Sequence, residues 1–432
     1  MNSRNLFIYL FYIAISFLIF FVDNYFGLLV SIFGYVLLFL LNYKKNKTIF
    51  NYIQFYLLTC WILSITQVFN LYNYDENIFY EERLYFFYCV IITGLISTFF
   101  KSPDNNLLIT NLKKKKIDFK YLNHFLFFFW LLSILSIDGF FGNIIQYIFK
   151  HILFLSPIIL TSILYLNSTK KVFPIVIFFL TFVYYTSIMF NRTGFLLVPI
   201  FFFITVLIER NLSINFSKNY RFILGTVILI FFTLVISDLY KGSSTRNFYS
   251  FLSQLTINDF KNFSSETRYQ INPVTNVYDY FSILGSLTDD KRELGGNIFS
   301  QFISIAKPRF FFPEKQITNI SELLFIQRYT SNRLFFSIFL ESTYNLGLFG
   351  VLIYHLLILI VGKIMFNSLL IINNKLVFQF LSVHYFFYVF YLYTLIRGPG
   401  IHFIPYFFFC FCFMLYFLYL LKISRKKNSS NI

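Results

Sequence analysis

The side chains of this sequence best suited to chemistry are a set of cations and one carboxylate. Lys307 and Arg309 stand in Lys307-Pro308-Arg309-Phe310-Phe311-Phe312-Pro313-Glu314-Lys315, where each proline fixes a backbone angle and removes a donor. That makes a rigid basic element. Arg192, in Asn191-Arg192-Thr193-Gly194, and Arg397, in Arg397-Gly398-Pro399-Gly400, are isolated cations beside glycines, which let a backbone approach a ligand closely. Arg246 and Arg268 lie in the same long polar stretch as Lys307. A guanidinium is a permanently charged planar fork that binds phosphate bidentately, so several of them near one leaflet suit an anionic headgroup or a pyrophosphate. Plain interfacial anchoring competes with that reading. Glu341 opens Glu341-Ser342-Thr343-Tyr344-Asn345-Leu346-Gly347-Leu348-Phe349-Gly350 at the edge of an apolar run, and an ionisable group there needs a reason.

Such residues need elements to hold them, and the composition says which. With 57% hydrophobic and only 13% charged residues, the chain is not an ordinary soluble domain, where charge runs near about 25%. It is a polytopic membrane protein. Apolar runs long enough to cross about 30 Å of hydrocarbon occur near residues 6–22, 25–41, 49–69, 84–100, 121–137 and 144–166, then 172–190, 195–208, 222–236, 335–361, 376–396 and 401–421. The expected fold is therefore all-α, with about twelve transmembrane helices. Residues 1–236 hold the first nine, 334–432 the last three and a tail, and 237–333 form one large loop domain. The first run lacks a small-residue cleavage pattern and reads as a retained helix.

The charges orient this arrangement. Lysines crowd alternate connections, three in 42–48 and six in 101–120, whereas the short connections of the other set hold only Arg83, Arg192 and Arg397. The positive-inside rule then puts both termini in the cytoplasm and residues 237–333 outside. It also explains the net charge of +17 without nucleic acid, since the cations sit in short loops between spans. Lys113 to Lys116 reads as a cytoplasmic stop facing anionic lipid. Lys150 and His151 fall within the sixth span, where a charge needs a cavity or partner. His355 and His384 read as core histidines. Cys60, Cys89, Cys410 and Cys412 lie in apolar runs without metal or haem spacing and read as packing residues. No metal site is expected. The 66 Phe and 33 Tyr reflect compositional bias, as from an AT-rich genome.

The second half of the chain resembles the Wzy-type polymerases of O-antigen and capsular polysaccharide repeat units. The resemblance rests on Arg192-Thr193 after a mid-chain span, the Pro308 to Lys315 element, Glu341 to Gly350 opening the next span, and Arg397-Gly398 near the last outside turn. What it implies is a GT-C-like glycosyltransferase of the bacterial cytoplasmic membrane, acting at the extracytoplasmic face and needing no cofactor. The substrate would be an undecaprenyl-pyrophosphate-linked oligosaccharide, a form of polyprenyl-pyrophosphate donor. Arg192, Lys307, Arg309, Arg397 and Tyr344 would contact pyrophosphate or sugar, and Glu341 would be the general base for the acceptor hydroxyl, with capping of the returning helix as its rival role. A chain-length regulator and a flippase are further candidate partners. Two alternatives remain. The related O-antigen ligase carries histidine in its large loop, and residues 237–333 have none. A flippase or exporter of the same lipid would not need so large an outside domain.

Overall fold

The computed structural model describes residues 3–46, 51–72, 80–101, 103, 124, 127–128, 130–131, 157–168, 170–185, 198–199, 201–203, 205–206, 338–372 and 375–397. Among them every regular element is helical. The principal helices are α1 (Ser3–Val22), α2 (Asn24–Asn46), α3 (Tyr52–Tyr72), α4 (Tyr80–Thr98), α5 (Val172–Val183), α6 (Ile338–Ile371) and α7 (Lys375–Arg397). Three segments, Arg4–Val22, Asn24–Lys44 and Gly347–Ile371, are long and apolar enough to cross a membrane, because about 20 residues at 1.5 Å each match the hydrocarbon thickness. Shorter apolar helices include Tyr52–Ile65, Arg83–Thr98, Pro157–Asn167 and Val377–Val389.

The outer surface of these helices agrees with lipid as solvent. On α1, Phe7, Phe11 and Leu18 are 73%, 65% and 70% exposed, and their spacing of four and seven places them along one face. In water such a stripe would be a large unpartnered apolar patch. Next to hydrocarbon it costs nothing.

The described helices belong to two compact units. The first contains α1 to α4, α6 as far as Ser368 and α7 from Tyr388. Its helices alternate in direction: Asn5 near the start of α1 donates to Asn42 near the end of α2 at 3.4 Å, while Phe20 at the far end of α1 stacks on Phe87 of α4 at 4.5 Å. Asp23 makes the α1–α2 joint by closing one helix and opening the next. Its N–H donates to Ile19 O at 2.8 Å, and its Oδ1 accepts from Phe26 N–H at 2.9 Å, satisfying a donor that a helix start leaves orphaned. Deeper in, α1 and α4 approach so closely that a Cβ at Gly94 would overlap the Tyr9 hydroxyl. Small residues at helix contacts serve this purpose where no hydrophobic effect drives association.

The second unit contains the Pro157–Asn167 helix, α5 and α7 as far as Phe387. Its polar side chains find one another. Trp130 Nε1 donates to Thr181 Oγ1 at 2.9 Å, Thr161 and Thr181 hydroxyls lie 3.3 Å apart, and Asn167 and Gln379 exchange amide hydrogen bonds of 2.6 and 3.2 Å. Aromatic pairs fill the remainder, including Phe178 on Phe202 at 5.0 Å and Phe201 on Phe387 at 5.1 Å.

Candidate functional site

The segment carrying Glu341 and Tyr344 folds in a way that hydropathy does not disclose. Phe339 and His355 are sixteen positions apart in α6, about 24 Å along a straight helix, yet their ring centroids are 4.8 Å apart. The helix must double back between them. The place is Gly347, whose φ of 62° is left-handed backbone that an L side chain rarely adopts. It lies eight positions from each ring, so the arms on either side run back along each other. The apolar stretch long enough to span begins at this reversal, Gly347–Ile371, instead of at 335 as expected. Residues 338–346 form an arm before it.

The described side chains of that arm are buried. Ile338, Phe339 and Ser342 are each 1% exposed or less, and Ser342 Oγ donates to Phe339 O at 2.9 Å, a local side-chain bond to the preceding turn. His355, against which Phe339 packs, is itself fully buried and holds Tyr56 OH at 2.7 Å through Nδ1, while its Nε2 has no partner. Tyr388 OH donates to Ile358 O at 2.6 Å one turn away. Phe339 thus already lies beside a buried histidine of the span.

Arg83 is a second correction. Its expected place was a short outside loop with the fourth span starting at 84, but it lies in the first turn of α4 and is 3% exposed. Its Nη1 donates to Asn24 Oδ1 at 2.9 Å. On the same turn, Tyr85 approaches the reversal, its hydroxyl 3.7 Å from where a Cβ on Gly347 would stand. The beginnings of α2 and α4 and the reversal of α6 therefore share one end of the first unit.

The predicted site residues fare differently. Glu341 and Tyr344 lie in the α6 arm and Arg397 closes α7, though their side chains fall outside the described part of the molecule. Arg192, Lys307 and Arg309 lie outside the described residues altogether, as do Lys150, His151 and the loop domain. Cys60 and Cys89 are buried, as their apolar setting suggested, and His384 is buried and stacked on Phe387 at 6.4 Å. No group of three metal-ligating side chains occurs among the described residues. The residue that sequence reasoning missed is Arg83, whose only signal was a cation flush against the start of an apolar run. Compared with protein-family models, with curated proteins and with solved structures, the chain matches none.

Proposed function

We propose that the chain polymerises polyprenyl-pyrophosphate-linked oligosaccharide repeat units, as a GT-C-like glycosyltransferase of about twelve spans in the bacterial cytoplasmic membrane. The observation that supports this best is the reversal at Gly347. Glu341 to Gly350, the longest of the patterns that resemble the Wzy-type polymerases, is not a plain helix opening but contains a reversal at Gly347 close to Tyr85 near the start of α4. A reaction on a lipid-anchored donor needs its groups at the level of the headgroups, and a short arm folded against a span can hold a carboxylate there. In this reading the acceptor hydroxyl attacks the anomeric carbon of the donor sugar and the bond to pyrophosphate breaks. Glu341 takes the hydroxyl proton, and Arg192, Lys307, Arg309 and Arg397 hold the departing polyprenyl pyrophosphate, whose charge develops as the bond breaks. Tyr344 contacts sugar.

The test uses the purified full chain in detergent, a lipid-pyrophosphate-linked repeat unit and no gradient, nucleotide sugar or divalent metal, since the donor already carries an activated leaving group. Longer chains should form. Glu341→Gln should bind donor normally and elongate at least 100-fold more slowly, the usual scale for losing a general base, while Arg309→Ala should weaken donor binding as well. No elongation by the unsubstituted protein, together with transport of the same lipid in sealed vesicles, would replace the polymerase by an exporter.

A further inference from the structure

Arg83 is the cation in this molecule whose surroundings make least sense without a ligand. It is 97% buried by its 3% exposure, and its one hydrogen bond goes to a neutral amide, Asn24 Oδ1. Its Nε is buried with no partner. A guanidinium removed from water costs heavily unless a carboxylate or another anion meets it, and among the described side chains no carboxylate is paired with it. Asp23, one residue from Asn24, is exposed and its Oδ1 is committed to Phe26 N–H at 2.9 Å.

The helix ends make the position worse for a lone cation. Arg83 stands in the first turn of α4, where the dipole presents its positive pole. A buried cation, a buried N–H without an acceptor and a helix N-terminus all call for the same thing, an anion with several oxygens. The site lies at the end of an apolar helix bundle, so the anion should arrive on a lipid.

We infer that Arg83, held by Asn24, binds the phosphate of a membrane-anchored lipid at the end of the first unit where α2 and α4 begin. Two sources share that chemistry, an anionic phospholipid headgroup and a polyprenyl diphosphate. The site does not depend on the polymerase reading, because binding is measured without elongation.

The full chain is placed in nanodiscs of phosphatidylcholine alone, of phosphatidylcholine with phosphatidylglycerol, or of phosphatidylcholine with undecaprenyl diphosphate. Retained lipid is counted by native mass spectrometry, and thermal midpoints are recorded in each. Arg83→Gln should lower retention of one of the two anionic lipids at least tenfold, and which one identifies the source. Asn24→Ala should lower it less. Arg83→Lys keeps the charge without the fork, so it should fall between, and it supplies the reading should Arg83→Gln not fold. Asp23→Asn should leave retention equal or higher. Equal retention of both lipids by the unsubstituted protein and the Arg83 variants would overturn the inference. So would an Asp23→Asn variant with the same losses as Arg83→Gln, which would make Asp23 the counter-charge.

Discussion

The two units differ in the kind of buried polar group they hold. In the second, the neutral groups Asn167 and Gln379 answer each other, as do Trp130 and Thr181, while the Ser382 hydroxyl is buried without a hydrogen-bond partner. In the first, Arg83 Nε, His355 Nε2, Gln54 Nε2, Trp61 Nε1 and Ser64 Oγ are buried without a hydrogen-bond partner. Native interiors tolerate few such groups, because each one forfeits its hydration for nothing. Arg83 is the charged one among these, and leaving it unpaired costs more than leaving a neutral amide or hydroxyl so. The first unit also contains the reversal of α6, with the Tyr85 hydroxyl close to it.

The largest effect that could break this comparison lies in the second unit. Asn167→Leu leaves the Gln379 amide buried without its partner and should lower stability by about 1–3 kcal/mol, read as a thermal midpoint in detergent. Adding Gln379→Leu should recover most of the loss, since removing both partners is close to neutral. A single variant as stable as the unsubstituted protein would mean that the pair holds nothing.

Next in size is Gly347→Ala, which forces an alanine into left-handed backbone and should cost about 1–2 kcal/mol. The same substitution at Gly350, which has no positive φ, should cost less. Equal losses at the two positions would argue that the reversal is not maintained by the backbone of Gly347.

Arg83→Met should change stability in the other direction. In delipidated detergent, where no anion is supplied, it should raise stability by about 1 kcal/mol, because an unpaired buried charge is replaced by a flexible apolar side chain. A loss instead would show that Asn24 alone satisfies the guanidinium, as Asn167 and Gln379 satisfy each other in the second unit. The smallest effect is expected for Trp130→Phe. Thr181 Oγ1 also donates to Ile177 O at 2.7 Å, so only one membrane hydrogen bond of about 0.6 kcal/mol is lost.

Much of the helical layout was legible without coordinates. A segment that crosses hydrocarbon must bury every backbone hydrogen bond within itself and carry apolar side chains for its whole length, so runs at 6–22, 25–41 and 376–396 announced α1, α2 and α7 to within a few residues. Class and location in a membrane follow from the same requirement. Direction along the bundle was also implicit, because successive spans must alternate, and Asn5 beside Asn42 agrees with that alternation. None of this needed a partner helix.

What only the tertiary structure decided are the features that depend on one. Residues 335–361 read as one largely apolar run, and hydropathy is blind to a single φ, so the reversal at Gly347 was invisible until Phe339 met His355. Arg83 read as a loop cation because a charge beside a span normally reaches water. Its side chain bonds Asn24 of α2, and Phe20 of α1 packs on Phe87 further along α4; no local pattern encodes which side of α4 those helices cover. Burial is a property of the assembled bundle, whereas the length and polarity of a helix are properties of the segment alone.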